Sequence, residues 1–336
     1  MNPAASKLLL ELASPLFALM GRDDVRELVI NTPGQAMVEG DQGWTAHAVR
    51  ELTFEYLNEL ATAASAYTKQ DIGPDRPLCA TTLPGDYRCQ IVMPPAVPQG
   101  TVSFTIRKPA KTTLSLEELD AGGLFNDLGP HSAQGSGDDA RLEELRAQSR
   151  WREFFEVAIR ARKNILISGA TGSGKTTFSK GLIAAIPADE RLVTIEDSAE
   201  LVLPHQNAVR LFYSKDGQGI AKIGPKDLLE AALRMRPDRI LLQELRDGVA
   251  WYYLRNVNSG HPGSITTIHA NSAALAFEQM MLLIKESDGG REMGRQDIRA
   301  LLELLINIVV HVKRVGGKFR IMEVHFRPRA NNNGGS

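Results

Sequence analysis

This 336-residue chain has few cysteines and almost no net charge, and each of these features excludes a class of protein. There are only two cysteines, Cys79 and Cys89, which are too few for a disulfide scaffold or for a zinc site made of four cysteines. We predict that both are buried free thiols. The 39 basic residues nearly balance the 40 acidic ones, so no chain-wide positive coat for nucleic acid is present.

Long hydrophobic runs are absent too. No stretch reaches the roughly 20 apolar residues that span a bilayer. The segment from Leu8 to Met20 is apolar enough to resemble a signal peptide, but Glu11 and Pro15 interrupt it and no small-residue cleavage pattern follows. A helix packed on its own domain is favoured over one that touches a membrane, and we expect a cytoplasmic or membrane-peripheral chain.

The chain length favours two domains, and the pattern of elements agrees. Residues 1–108 are predicted to form an α+β domain, with a hairpin over 25–39, a helix over 52–68 and strands at 78–83, 86–93 and 101–107. Residues 109–150 are predicted to be a long, partly flexible linker. It would have a helical turn at Leu116–Leu119, a polar stretch at 129–139 that we expect to be mobile, and a helical pattern from Arg141.

Residues 151–327 alternate between strand and helix patterns, which predicts a mostly parallel sheet covered by helices on both faces. The last residues, 328–336, are polar and of low complexity, and we expect a disordered tail. The predicted strands lie at 164–168, 191–196, 207–213, 238–243, 264–269, 307–315 and 318–326, and the predicted helices at 174–186, 225–235, 247–258, 272–286 and 295–306.

The segment GATGSGKT at 169–176 matches the phosphate-binding loop pattern G-x-x-x-x-G-K-[ST], with a predicted strand before it and a predicted helix after it. Its backbone N–H groups and the amino end of the helix favour an anion. Lys175 would contact the β- and γ-phosphates of ATP and Thr176 would ligate Mg²⁺. The predicted nucleotide-binding residues in this segment are Gly169, Ala170, Thr171, Gly172, Ser173, Gly174, Lys175, Thr176 and Thr177.

Hydrolysis needs further groups, and three segments supply candidates at the predicted carboxyl ends of strands. Glu196 and Glu244 could hold Mg²⁺, partly through water, or accept a proton from the attacking water. His269 could hydrogen-bond a phosphate or a carboxylate. Each has a structural alternative: a solvated acidic turn for Glu196, a surface pair with Arg246 for Glu244, and a structural histidine. His261, in Gly-His-Pro-Gly, fits a tight turn.

Together these segments resemble the hexameric traffic ATPases of bacterial type IV secretion and conjugation, relatives of the type II secretion and pilus ATPases. The resemblance rests on GATGSGKT (169–176), TIEDSAEL (194–201), LRMRPDR (233–239) and SGHPGSITTIHA (259–270), with weaker matches at GDYRCQIVMPP (85–95) and SFTIRKP (103–109). It covers nearly the whole chain. Gln243 departs from the small residue expected before Glu244.

The resemblance implies a RecA-like P-loop ATPase domain, a ring of six subunits, and a nucleotide between the two domains of a protomer. It assigns Lys175, Glu196, Glu244 and His269 to catalysis, and it adds Arg88 and Arg107 as arginines that contact the nucleotide. The implied partners are an inner-membrane secretion channel and coupling ATPases, with peripheral association at the bacterial inner membrane. The long linker leaves open whether the N-terminal domain packs on its own or on a neighbouring protomer.

Three other functions stay open. A pilus-retraction or type II secretion ATPase has overlapping motifs, although the type II enzymes commonly carry a four-cysteine zinc element. A nucleotide-switched docking module would hydrolyse little ATP. A motor that acts directly on DNA is disfavoured by the neutral charge and by the lack of an aromatic and basic run. The basic cluster of Lys313, Arg314, Lys318 and Arg320 is better explained as a solvated hairpin.

Overall fold

Six antiparallel strands and two helices form the N-terminal part of the chain. In the computed structural model, which describes residues 3–110, 113–126, 133–214 and 218–328, the strand order is β3-β2-β1-β6-β5-β4. The elements are α1 (Pro3–Met20), β1 (Glu27–Ile30), β2 (Gln35–Gly40), β3 (Gly43–Ala48), α2 (Phe54–Tyr67), β4 (Leu78–Leu83), β5 (Tyr87–Val92) and β6 (Ser103–Arg107). Strand β3 was not predicted, because five of its six residues are small or polar and most are exposed.

Helix α1 packs on this domain, as predicted. Leu9, Leu16 and Met20 lie on one side of the helix and are fully buried in the same core as α2 and the sheet. The Tyr56 hydroxyl of α2 donates to the Leu12 carbonyl at 2.6 Å and fixes the two helices together. Both cysteines are buried and free, which confirms that prediction. Across the described part of the chain, no helix has the length and hydropathy needed to cross a bilayer.

The segment between the domains is more structured than predicted. Helix α3 (Leu116–Ala121) confirms the expected helical turn and starts with a capping box between Ser115 and Glu118. Helix α4 (Ala133–Ala147) covers part of the stretch expected to be mobile, and α5 (Trp151–Arg160) follows it. Residues 129–132 of that stretch lie outside the described residues. Because Leu142 and Leu145 are fully buried against the C-terminal sheet, packing of the second domain begins inside the predicted linker.

The C-terminal part is a mainly parallel sheet, as predicted. Strands β10, β8 and β9 pair in parallel, and so do β11, β7 and β12, with β13 antiparallel at the edge. The two groups meet where the Leu245 amide donates to the Thr267 carbonyl at 2.8 Å. The strands are β7 (Ile165–Ser168), β8 (Leu192–Glu196), β9 (Ala208–Phe212), β10 (Arg239–Leu242), β11 (Ile265–Ile268), β12 (Ile308–Val315) and β13 (Lys318–Phe326).

Helices cover both faces of this sheet. Side chains alternate along each strand, so Leu166 packs on one face while Ile165 and Ile167 pack on the other. One face packs on α4, α5 and α6, and the other packs on α7 to α10. The helices not yet defined are α6 (Lys175–Ala184), α7 (Pro225–Ala232), α8 (Val249–Asn258), α9 (Ala273–Glu286) and α10 (Arg295–Leu305). The tail prediction concerns residues that lie outside the described part from 329 onward.

The two domains meet at Arg191, which directly precedes β8 and is fully buried. Its guanidinium donates to Asn31 Oδ1 at 2.9 Å and to Thr105 Oγ1 at 3.3 Å, both on the N-terminal domain. It also donates to the Met235 carbonyl at 2.8 Å within its own domain. Arg191 lies at the amino end of a strand in the parallel sheet, so this contact is at the opposite end from the carboxyl ends of the strands.

Candidate functional site

The phosphate-loop motif lies between β7 and α6, as its pattern predicted. Ser168 ends the strand, and α6 begins at Lys175 directly after Gly174. Gly174 has a φ of +99°, which only glycine adopts readily. At Gly169 a Cβ atom would lie 2.4 Å from the Val312 carbonyl oxygen, so the close approach of β12 requires glycine there. Strand, loop and helix together present an amino-terminal helix end at the carboxyl edge of the sheet.

Lys175 and Ser173 give the loop its polar interior. The Lys175 ammonium donates to the Gly169 carbonyl at 2.9 Å and to the Ala170 carbonyl at 3.1 Å. Burial lowers the pKa of Lys175. The Ser173 hydroxyl is buried and has no hydrogen-bond partner among the described residues. The loop therefore contains a cationic group and a hydroxyl without a partner, which suits a bound phosphate. On the first turn of α6, Thr176 is partly buried and Thr177 is exposed.

Glu244 and His269 follow β10 and β11 and meet at the same edge of the sheet. His269 Nε2 lies 2.6 Å from Glu244 Oε1, and His269 Nδ1 lies 3.4 Å from Lys175 Nζ. Partial burial and the Lys175 charge lower the pKa of His269, which favours the neutral imidazole. With Nδ1 facing the Lys175 ammonium, the ring places Nε2 next to Glu244 Oε1, an oxygen that is buried and has no hydrogen-bond partner among the described residues. Three of the four predicted catalytic side chains, Lys175, His269 and Glu244, thus form one continuous chain of contacts.

Glu244 also pairs with Arg246, the partner that the structural alternative for Glu244 had named. One of its carboxylate oxygens contacts the Arg246 guanidinium, and Arg246 Nη1 donates to Asp197 Oδ2 at 3.1 Å. Arg246 therefore joins the carboxylates that follow β8 and β10. The Glu244 side chain is only 14% exposed, so this pairing takes place in a partly dry site, where charge interactions are stronger than in water.

Glu196 occupies a different environment. It is fully buried at the end of β8, and both carboxylate oxygens accept from Arg210, at 2.9 and 2.7 Å. Thr194 Oγ1 donates to it at 2.7 Å and the Leu201 amide at 3.0 Å. Four donors saturate this carboxylate, so it could reach Mg²⁺ or water only by giving up partners. No local pattern in the sequence pointed to Arg210 as the partner of Glu196, because the pair joins neighbouring parallel strands.

Two cavities formed by the described residues adjoin the loop. The more apolar one has a volume of about 510 Å³ and starts at Gly174 and Thr177, with Phe155, Phe178 and Phe319 among its walls. The second, about 430 Å³, lies between residues 170–173 of the loop and residues 311–314 of β12. Lys313 and Arg314 line this second cavity, so two residues of the basic hairpin, although exposed as predicted, adjoin the phosphate loop.

Arg88 and Arg107 lie elsewhere. They are exposed on β5 and β6 and line an interdomain cavity with Arg236 and His261, whose positions precede β10 and β11. His269 follows β11 at its carboxyl end, so this cavity is at the opposite end of the sheet from the phosphate loop. Within one chain, the structure does not bring these two arginines to the loop, and the interdomain surface is not the surface that carries Lys175.

Known proteins with similar sequences belong to bacterial secretion systems. Residues 139–326 match the family model described as "Type II/IV secretion system protein". The chain is 50% identical over 325 residues to the type IV secretion system protein VirB11 of Bartonella henselae, covering 94% of this chain and 91% of that one. It is 40% identical over 316 residues to the VirB11 protein of Rhizobium radiobacter, covering 93% and 92%.

The chain belongs to the VirB11 family of type IV secretion ATPases. The crystal structure of the VirB11 ATPase from the Brucella suis type IV secretion system, in complex with sulphate, is 38% identical. It superposes with a TM-score of 0.91 and covers 96% of this chain and 95% of that one. These relatives confirm the predicted RecA-like fold with an N-terminal domain, and they favour type IV secretion over the pilus-retraction and type II alternatives.

Proposed function

We propose that this chain hydrolyses Mg-ATP at the phosphate loop and converts the loss of the terminal phosphate into movement between its domains. The observation that carries the proposal is the contact chain from Lys175 through His269 to Glu244. It connects the phosphate-binding loop to an acidic group that follows β10, at the edge where parallel sheets bind their ligands. In an ATP-driven motor, side chains that contact the γ-phosphate must change position when that phosphate is cleaved, and contacts between the phosphate loop and the acidic group allow this.

Glu244 is the proposed group that orients the attacking water and accepts its proton. Its side chain is 14% exposed, and its Oε1 atom lies 2.6 Å from His269 Nε2 and has no hydrogen-bond partner among the described residues, so it is free to accept a proton. Glu196 is proposed to hold the site in shape instead, since Arg210 and two further donors already occupy its oxygens. Glu244 and Glu196 thus have different proposed roles, whereas the sequence alone could not distinguish which of them is the general base.

Mg²⁺ is the proposed cofactor. Thr176 on the first turn of α6 would supply a hydroxyl ligand, and Glu244 would reach the ion through water, which suits a metal that keeps much of its hydration shell. Bound there, the ion would neutralise the charge of the transferred phosphate. The unused Ser173 hydroxyl and the Lys175 ammonium in the loop support a phosphate ligand at this position.

The apolar cavity that starts at Gly174 is proposed to bind the nucleobase. It adjoins the first turn of α6, so a base attached to phosphates in the loop could reach it. Phe178 and Phe319 offer aromatic faces for stacking, and Arg152 and Arg320 also line the cavity. The volume of about 510 Å³ is within the usual range for small-ligand pockets, about 300–1,000 Å³.

Six copies are proposed to form the working ring, at the cytoplasmic side of the bacterial inner membrane, where it would act on a secretion channel and its coupling ATPases. Any contact of Arg88 and Arg107 with bound ATP then requires a second copy, because in their own chain they lie at the opposite end of the sheet from Lys175. The named relatives of type IV secretion systems support the assignment to that process.

Phosphate release from ATP tests the proposal. Glu244→Gln should lower turnover by about 10²- to 10⁴-fold, the usual contribution of a general base, while Mg-ATP binding is retained. Glu196→Gln is the matched comparison and should lower the melting temperature, because it removes the charged partner of the partly buried Arg210 guanidinium. Turnover of the Glu244→Gln chain within twofold of the unmodified chain would refute the assignment.

A further inference from the structure

Arg246 connects two carboxylates that follow neighbouring strands of the parallel sheet. Asp197 follows β8 and Glu244 follows β10, and these two strands pair in parallel. Arg246 Nη1 donates to Asp197 Oδ2 at 3.1 Å, and Arg246 Nη2 donates to Glu244 Oε2. A guanidinium group is planar and carries its N–H groups in a fixed fork, so it can hold two carboxylates in a defined orientation. The contact therefore fixes the Glu244 carboxylate relative to Asp197.

The backbone that carries Glu244 is held from both sides. The Gln243 amide donates to the Ile195 carbonyl of β8 at 3.0 Å, and the Leu245 amide donates to the Thr267 carbonyl of β11 at 2.8 Å. The Thr267 hydroxyl also donates to the Gln243 carbonyl at 3.0 Å. Because the backbone is fixed, the remaining freedom of Glu244 lies in its side-chain torsions, which have several staggered positions. A side-chain partner is needed to select one of them.

Arg246 is such a partner, and it leaves the second oxygen of Glu244 available. Oε2 accepts from Arg246, whereas Oε1 is buried, lies 2.6 Å from His269 Nε2 and has no hydrogen-bond partner among the described residues. His269 Nδ1 lies 3.4 Å from Lys175 Nζ in the phosphate loop. The pairing on Oε2 thus directs Oε1 toward the histidine and the phosphate loop.

The exposure of the Arg246 side chain argues for a role in positioning rather than in folding. It is 36% exposed, and ion pairs that water reaches contribute little to stability. Asp197 and Glu244 repel each other at the same edge of the sheet, and the guanidinium between them offsets that repulsion. Loss of Arg246 should therefore change where Glu244 points more than it changes the stability of the fold.

We propose that Arg246 is a positioning residue for ATP hydrolysis, with Asp197 as its anchor. It holds Oε2 of Glu244 so that Oε1 accepts a proton from the attacking water. The water oxygen bonds to the γ-phosphorus, the bond from that phosphorus to the bridging oxygen breaks, and ADP keeps the electron pair. Arg246 acts on this step through Glu244 alone, so the inference rests on the proposed function of Glu244.

Steady-state kinetics of Arg246→Gln test the proposal. The kcat value should fall by about 10- to 100-fold, because a misplacement of about 1 Å in a reacting group can cost about 100-fold. Calorimetry should show unchanged affinity for magnesium with a non-hydrolysable ATP analogue, since the phosphate loop is intact. Arg246→Lys keeps the charge but not the fork, and should recover only part of kcat. Arg255→Gln, an exposed arginine on α8, is the matched control and should turn over ATP like the unmodified chain.

Combining Arg246→Gln with Glu244→Gln separates positioning from a purely structural role. A residue that acts through Glu244 has nothing left to position in the Glu244→Gln chain, so the second change should not lower kcat further. A structural role would lower kcat by the same factor in both chains. If Arg246→Gln does not fold, Asp197→Asn replaces it in these measurements, because it removes the anchor of the guanidinium. We expect the same lack of a further loss, after a smaller first loss of kcat.

The outcomes distinguish this inference from the proposed function. If Glu244→Gln leaves turnover within twofold of the unmodified chain, Glu244 is not the proton acceptor, and the role of Arg246 is refuted with it. If Glu244→Gln lowers turnover while Arg246→Gln does not, or if the two losses multiply in the double variant, the proposed function stands and only the inference about Arg246 is wrong.

Discussion

Replacing Gly169 with alanine probes how closely β12 approaches the phosphate loop. A Cβ atom at Gly169 would lie 2.4 Å from both the Val312 carbonyl oxygen and the Ser173 hydroxyl, whereas ordinary contact begins near 3.4 Å. The loop or the strand must therefore move by about 1 Å. Overpacking of this kind costs about 1–3 kcal/mol, and if the whole cost falls on the binding-competent loop, the affinity for Mg-ADP drops by about 5- to 150-fold.

Gly73→Ala is the control, because its new methyl group would meet only Asp75 Oδ1 at 3.4 Å. Calorimetric titration of Mg-ADP into both variants and the unmodified chain gives the affinities, and thermal unfolding shows that each variant is folded. We expect Gly73→Ala to bind like the unmodified chain. If Gly169→Ala binds Mg-ADP within twofold of it, the close contact between β12 and the loop does not shape the nucleotide site.

Three further changes test other parts of the account. Burial raises the pKa of Glu27 in the folded chain from 4.5 to about 7, so the free energy of unfolding should fall by up to about 3 kcal/mol as pH rises between these values. Glu27→Gln should therefore raise the melting temperature at pH 8 but not at pH 4. An equal effect at both pH values would contradict the raised pKa. Arg191→Met should weaken the contact between the domains and increase proteolysis between them. Arg239→Met is the control, because Arg239 pairs with Glu190 inside one domain, and it should only lower the melting temperature. Identical digestion patterns for the two variants would argue against a role of Arg191 in holding the domains together. Phe319→Ala should weaken Mg-ATP binding without weakening tripolyphosphate binding, and parallel losses would place the base elsewhere.

Local patterns carried most of what the sequence could predict. The strand, loop and helix around Lys175 are contiguous in the chain, so glycine spacing and hydrophobic periodicity were enough to define them. Glu244 and His269 were predicted at the carboxyl ends of their strands, and in a parallel sheet those ends share one edge. Strand β3 escaped prediction because it is a mostly exposed edge strand with few apolar residues.

Contacts between residues that are far apart in the sequence could not be predicted from the sequence alone. Lys313 and Arg314 reach the phosphate loop because Val310 on β12 pairs with Ile167 on β7, far away in the sequence. Arg210, on the neighbouring parallel strand, supplies two of the four hydrogen bonds that saturate Glu196. The position of Arg88 and Arg107 depends on how the domains pack, which is fixed by the buried Arg191, and a single sequence contains no local signal for such contacts.

The central claim is that the loop at Lys175 binds Mg-ATP, and one titration tests it most directly. A non-hydrolysable ATP analogue with magnesium is titrated calorimetrically into the unmodified chain and into Lys175→Ala. The account predicts saturable binding to the unmodified chain and at least tenfold weaker binding to the variant, since the ammonium in the loop is lost. Equal affinity in the two chains, or no binding heat in either, would contradict it.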